Sequence, residues 1–236
     1  EYDDVMNSQR ELIYTKRRHA LFGERIQLDV VSMMKALCED FVETNYETLD
    51  YQEFSFELMR TLTIEPNFDE EFYLKESTSK IINKLEEALF EKYRRKEQQI
   101  IAQTLHVIKD VYEKQGQQYK NIIIPITDGY RIYQIITNLE KSVKTNGAEV
   151  MRSIEKFVTL LVIDENWKEH LREMDDLKTS VQNATYEQKD PLLIYKFESF
   201  ELFKKLLDKI NREVVSILLK ANIPNQQPEN VREAQQ

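Results

Sequence analysis

The sequence predicts a mainly α-helical protein. One long helix packs with an antiparallel pair of long helices, and a smaller helical region carries a β-hairpin. Three observations predict this fold. The 236 residues include only four Gly and five Pro, so few positions break a helix. Apolar residues recur at alternating spacings of three and four in two segments. A polar stretch, residues 182–189, separates these segments, as in a helical hairpin.

Residues 1–42 are predicted to form the first long helix. Its apolar stripe consists of Tyr2, Val5, Leu12, Ile26, Val30, Met33 and Leu37. Gln9, Lys16, His19 and Gly23 interrupt this stripe in the middle of the segment. The interruption favours a helix that contacts several surfaces in turn rather than one continuous partner.

Residues 43–147 are predicted to form a separate helical region. The pattern breaks at residues 45–50 and again at residues 65–69, where Pro66 disfavours a helix immediately before it. Helical spacing returns between Asp69 and Glu113. β-branched and aromatic runs then occupy residues 119–126 and 130–136, and the turn sequence Thr127-Asp128-Gly129 separates them. This region therefore ends in a β-hairpin, with Pro125 on an edge strand.

Residues 148–222 are predicted to form the helical hairpin. The first arm has its seam at Leu160, Ile163, Trp167, His170, Met174, Leu177 and Val181. The second has its seam at Leu193, Lys196, Phe200, Phe203, Leu207, Ile210, Val214, Ile217 and Ala221. We expect Trp167 to pack against the second arm or the first long helix. Residues 223–236 are a polar tail that we expect to be disordered.

Composition excludes several function classes. A formal charge of −9 argues against nucleic-acid binding. The lone Cys38 indicates a reducing compartment, and the sequence has neither a secretion signal nor an apolar run long enough to cross a membrane. Isolated glycines do not form a phosphate-binding loop, and three scattered histidines lack metal-ligand spacing. We therefore expect no catalytic residue, metal or cofactor in this segment.

Three blocks of the sequence match a known family. They are residues 1–10 with Ile13 and Tyr14, residues 93–97, and a last block at residues 164–171, 186–191 and 195–200. On these blocks the chain resembles the C-terminal portion of the SecA family, the ATPases of bacterial preprotein translocation. The blocks resemble the family's scaffold helix, the end of its helical wing domain and its two-helix finger in turn, and the finger match is the most specific. The β-hairpin region, between Gln99 and Gly147, departs from compact family members.

The resemblance implies a division of labour. Residues 1–42 would be scaffold, 43–147 wing and 148–222 finger and the end of the scaffold. The parent protein would bind ATP and magnesium in separate nucleotide-binding domains and hold unfolded preprotein in a preprotein-binding domain. The finger would reach the SecY channel complex. The resemblance also implies a cytoplasmic protein that associates peripherally with the bacterial inner membrane.

The resemblance also assigns polypeptide binding to the finger tip, at Thr185, Tyr186 and Gln188. Tyr186 is the one large aromatic residue of the tip. Its apolar ring and its hydroxyl can contact any polypeptide without reading sequence. The alternative is a turn residue that packs on its own hairpin.

A competing hypothesis is a non-enzymatic coiled-coil adaptor or structural protein, because amphipathic heptads are common. The polar loop that ends in Asp190-Pro191 argues against a continuous dimeric coiled coil. The aromatic residues Phe197, Phe200 and Phe203 favour an intramolecular junction, and we expect Phe200 to have a structural role there.

Overall fold

The computed structural model describes residues 2–23, 25–115, 118–183 and 190–224. At residues 182 and 183 it describes the backbone alone. Long helices dominate these ranges, as predicted. The elements are α1 (Tyr2–Phe22), α2 (Ile26–Asn45), α3 (Tyr51–Leu62), α4 (Glu70–Lys75), α5 (Thr78–Gln115), β1 (Asn121–Thr127), β2 (Ile132–Asn138), α6 (Leu139–Lys144), α7 (Ala148–Asn183) and α8 (Pro191–Lys220).

The prediction of a single helix for residues 1–42 is wrong, because the chain breaks at Gly23 into two helices, α1 and α2. Gly23 has a φ of +71°, in the left-handed region, and its backbone N–H donates to the His19 carbonyl at 3.0 Å. Glycine adopts this conformation at little cost and commonly ends a helix there. The two helices therefore meet different surfaces: α1 packs on α7 and α8, and α2 packs mainly on α5 and α8.

The predicted breaks at residues 45–50 and 65–69 are confirmed, and side-chain caps explain where the helices restart. Asp50 accepts hydrogen bonds from the backbone N–H groups of Gln52 and Glu53 in a full capping box. Asp69 caps α4 with a single hydrogen bond, which its side chain accepts from the backbone N–H of Phe72.

The predicted β-hairpin is also confirmed. The antiparallel strands β1 and β2 pair from Asn121 opposite Asn138 to Thr127 opposite Ile132. Asp128 shapes the turn, since its Oδ1 accepts from the N–H groups of Tyr130 and Arg131 at 2.9 and 2.8 Å. One face of both strands is buried, so the hairpin lies on the helices as a lid with an apolar underside.

The helices α7 and α8 form the predicted hairpin. Asp190 caps α8 by accepting from the Leu192 N–H at 2.9 Å, and Pro191 starts the helix where no backbone donor is required. The seam predicted for α8 is wrong at Leu193 and Phe200, which are 67% and 64% exposed, because Tyr195 and Ser199 are buried in their place. From Phe203 onward the predicted side of α8 is the buried one, as Phe203, Ile210 and Val214 show.

The main apolar core is continuous. It takes buried side chains from α1, α2, α3, α5, both strands, α7 and α8, so residues 43–147 share this core with the hairpin. A second, smaller cluster lies further out along the hairpin, where Met174, Val181 and Tyr195 are buried and Tyr2 packs beside them.

Candidate functional site: the junction of α1 with the helical hairpin

The side chain of Gln9 connects three helices at the centre of this junction. It is 6% exposed, and its Nε2 donates to the Ser199 carbonyl of α8 at 3.0 Å. Its Oε1 lies 2.8 Å from Nε2 of His170 on α7. Because an amide oxygen only accepts, the hydrogen bond requires the imidazole proton on Nε2. One amide therefore fixes α1 against both arms of the hairpin.

His170 is a buried, neutral connector. It is 1% exposed, its ring stacks on Trp167 with centroids 5.4 Å apart, and Phe203 lies 5.9 Å away. Burial lowers the pKa of His170 to about 4, so the imidazole is uncharged at neutral pH. Its Nδ1 has no hydrogen-bond partner among the described residues. The side chain thus orients Gln9 without introducing a charge into the core.

Two further contacts hold α1 along the hairpin. Toward the C-terminal end of α1, the Arg17 guanidinium makes a two-pronged ion pair with Asp164 of α7 at 2.8 and 3.2 Å. This hydrogen bonding raises the pKa of Arg17. At the other end, the rings of Tyr2 and Tyr195 meet edge to face at 4.6 Å. Together with Gln9, these contacts span nearly all of α1.

Polar pairs also join the two arms to each other. Asn166 of α7 donates from Nδ2 to Glu213 of α8 at 2.6 Å, and Lys209 of α8 lies 2.8 Å from Glu169 of α7. These contacts join the two arms side chain to side chain at this level of the hairpin.

Glu155 joins α7 to the long helix α5. The Tyr93 hydroxyl of α5 donates to Glu155 Oε1 at 2.5 Å, while Oε2 is buried with no hydrogen-bond partner among the described residues. Burial raises the pKa of Glu155 to about 7, and repulsion by Glu97 adds to the effect; the Tyr93 hydrogen bond opposes both. Burial likewise raises the pKa of Tyr93.

The residues predicted from the sequence have different positions relative to this junction. Trp167 is 8% exposed and lies within it. Phe200 is turned away, so its predicted structural role is wrong within this chain: its helix presents Ser199, a small residue, to α1 instead. Thr185, Tyr186 and Gln188 lie outside the described residues.

The central role of Gln9 in the junction is not among the sequence predictions. In those predictions Gln9 interrupts the apolar stripe of α1, and His170 occupies a seam position of α7. The sequence does contain a signal for this contact. Gln9 and His170 each lie at an apolar position of a helix, and buried polar side chains need hydrogen-bond partners, so the two could be expected to pair. Nothing local in the sequence identified Ser199.

The described residues hold no cluster of three or more His, Cys, Asp or Glu side chains suited to a metal ion. Each helix among them is too short or too polar to cross a bilayer. The residues above form hydrogen bonds, ion pairs and ring contacts between helices. The fold and site thus define a helical framework that presents a long hairpin.

Comparison with known proteins identifies the family to which this helical framework belongs. Residues 1–222 match the SecA wing and scaffold domain. The chain is 50% identical over 97% of its length to the protein translocase subunit SecA of Bacteroides fragilis, and 49% identical over 99% to that of Phocaeicola vulgatus. The Flavobacterium psychrophilum subunit is 46% identical over the whole chain. The chain belongs to the SecA family, and the coiled-coil adaptor alternative is not favoured. It spans about a fifth of the length of these relatives.

Proposed function

We propose that this chain is the mechanical part of a SecA translocase subunit, which carries movement from the rest of the subunit to the end of the helical hairpin. The observation that carries this proposal is the Gln9 junction, where one helix is hydrogen-bonded to both arms. A displacement of α1 is then shared by α7 and α8, because buried hydrogen bonds and packing resist slippage between them.

The outward side of α1 supports a connection to the rest of the parent chain. The exposed apolar residues Tyr14, Leu21 and Phe22 lie together there. Clusters of this kind mark interaction surfaces, and four-fifths of the relatives' length lies outside the match. We assign this side to the nucleotide-binding and preprotein-binding domains of the parent, where ATP and magnesium would bind. This segment would hold no cofactor and carry no ATPase activity.

The outward side of α8 supports a contact beyond the subunit. Leu193, Phe197 and Phe200 are each more than 60% exposed and recur at helical spacing, so they form one stripe. The stripe begins just after the segment that contains Thr185, Tyr186 and Gln188. We assign the three polar residues to unfolded preprotein and the stripe to the SecY channel complex, with the subunit on the cytoplasmic face of the inner membrane.

The experiment restores the chain to a full-length subunit and measures preprotein import into inverted membrane vesicles together with basal ATP hydrolysis. Tyr186→Ala should reduce import strongly and leave basal hydrolysis nearly intact, because contact with the moving chain is lost rather than the chemistry. Tyr186→Phe is the matched control and should retain most import, since the apolar ring remains. Import at the unaltered level by Tyr186→Ala would contradict the proposed tip contact.

A second variant tests the proposed transmission. Gln9→Leu should lower import per ATP hydrolysed while the hairpin tip is unchanged. Equal coupling in the Gln9→Leu variant and the parent would rule out the junction as the connection.

A further inference from the structure

A groove of about 650 Å³ lies between β2 and α7, far along α7 from the hairpin tip. One wall is formed by Gln134, Ile136 and Asn138 of β2, and the other by a single face of α7 between Glu149 and Leu160. The C-terminal end of α1 closes one end. The lining residues are Phe22, Gly23, Gln134, Ile136, Asn138, Lys141, Glu149, Arg152, Ser153, Lys156, Phe157 and Leu160. The proposed translocation function uses only Phe22 among these residues.

Hydrogen-bonded and non-hydrogen-bonded residue pairs alternate along the hairpin, and this alternation shows which backbone groups of β2 point away from β1. Thr127 exchanges both backbone hydrogen bonds with Asn222, at 2.8 Å each, so its backbone N–H and C=O point away from β2. Thr127 and Ile132 are therefore a non-hydrogen-bonded pair, and bonded and non-bonded pairs alternate from there. Ile132, Gln134 and Ile136 consequently direct their backbone N–H and C=O groups away from β1. Their backbone groups have no partner in the part of the chain that the structure describes.

The two edges of the hairpin are protected unequally. On the outer edge of β1, Pro125 has no N–H to offer and Thr127 is already paired with Asn222. These are ordinary ways of blocking an edge strand. The edge of β2 has neither device, and two of its three open positions, Gln134 and Ile136, line the groove. The open edge therefore faces a cavity large enough to receive another strand.

The groove combines apolar and cationic surface. Phe22, Ile136, Phe157 and Leu160 supply the apolar part. Arg152 lies 3.9 Å from Glu149, the one acidic side chain of the lining. Lys141 and Lys156 form no ion pair with any described residue. Two uncompensated ammonium groups beside an open strand edge favour a ligand that carries carboxylates.

We propose that this groove binds an extended acidic peptide segment of a partner protein, which adds as a third strand to β2. Its backbone pairs with Gln134 and Ile136, its apolar side chains contact Phe157, and its carboxylates meet Lys141 and Lys156. Strand addition draws affinity from main-chain hydrogen bonds and specificity from alternate side chains. The α7 face from residue 149 to 160 is about 17 Å long, which matches about five extended residues.

The test uses short fluorescein-labelled peptides of alternating valine and glutamate and measures anisotropy with the unaltered chain. Three peptides are compared: the acidic one, a copy with lysine in place of glutamate, and an acidic copy methylated on alternate backbone nitrogens. The acidic peptide should bind at least about tenfold more tightly than either copy. Equal binding of the methylated copy would overturn strand addition, and no detectable binding of the acidic peptide would overturn the whole proposal.

Protein variants locate the site. Lys141→Glu with Lys156→Glu should weaken binding of the acidic peptide at least about tenfold. The charge-matched control, Lys109→Glu with Lys168→Glu, alters exposed lysines outside the groove and should leave binding unchanged. Equal losses in both double variants would overturn the proposed site.

A proline pair tests the edge itself. Ile136→Pro removes the N–H that faces the groove, and Ile123→Pro removes the equivalent N–H on the outer edge of β1. Only Ile136→Pro should abolish peptide binding, and circular dichroism checks that both variants fold. If either variant does not fold, the comparison of the acidic peptide with its methylated copy tests strand addition instead. Vesicles of anionic phospholipid serve as the competing probe. Lysine-dependent vesicle binding without peptide binding would overturn the proposal in favour of a membrane contact.

Discussion

Glu155→Gln should gain stability relative to the unaltered chain as the pH rises from acidic to neutral values. Glutamine keeps an oxygen that accepts from Tyr93, but it carries no charge into the buried site between α5 and α7. Burial raises the pKa of Glu155 from its ordinary value of 4.5 to about 7. Each unit corresponds to about 1.4 kcal/mol, so the ionised carboxylate lowers the free energy of unfolding by about 3 kcal/mol.

The sign and the pH window follow from the direction of this shift. The folded state holds the Glu155 proton more tightly than the unfolded chain does, so ionisation costs stability. This loss grows as pH rises from about 4.5 to about 7 and is complete above that range. Below about pH 4.5 the carboxyl is protonated in both states and contributes no pH dependence.

Urea unfolding of the parent chain and Glu155→Gln at a series of pH values measures this effect. The stability difference between the two proteins should grow by about 3 kcal/mol from pH 4.5 to pH 8 in favour of the variant. Glu165→Gln is the matched control, since Glu165 is an exposed carboxylate on the same helix. A pH-independent difference for Glu155→Gln, or a growing difference for Glu165→Gln, would refute the reasoning.

Two further predictions concern other parts of the framework. Gln9→Leu should lower the free energy of unfolding by about 1–3 kcal/mol, because it leaves the buried Nε2–H of His170 without its acceptor. The control Gln27→Leu, at an exposed site on α2, should change the free energy of unfolding little. Similar losses in both variants would contradict the role of Gln9 as a buried acceptor. Gly147→Ala should destabilise more than Gly23→Ala in the same urea assay. Both glycines have positive φ, but an added Cβ meets Ile101 Cγ2 at 2.8 Å only at Gly147 and has nothing within 4 Å at Gly23. The reverse order would show that backbone strain outweighs the clash.

Helix ends were predictable from the sequence because local chemistry sets them. Asp50, Asp69 and Asp190 each precede a helix and accept from its first N–H groups. The β-hairpin was predictable for the same reason, since its turn residues and β-branched runs lie close together in the chain. Gly23 was noted as an interruption, but its positive φ was not expected.

The orientation of α8 was not predictable because distant residues decide it. A stripe through Leu193 and Phe200 fits helical spacing as well as one through Tyr195 and Ser199 does. Gln9 and Tyr2 select the second stripe, and both lie more than 180 positions earlier in the chain. Single-sequence periodicity carries no information about such a partner, so it predicts burial for the side of α8 that carries the exposed Leu193 and Phe200.

The division of the apolar core has a consequence for local unfolding. Near its base the hairpin belongs to the main core. Further out, the buried apolar side chains among the described residues are Met174, Val181 and Tyr195, and the first turns of α1 pack beside them. Opening the outer part exposes far less apolar surface than unfolding the base, so it costs less free energy and occurs more often. Amide hydrogens along α7 and α8 should therefore exchange in a gradient, fastest toward the outer end, and loss of the first turn of α1 would steepen that gradient.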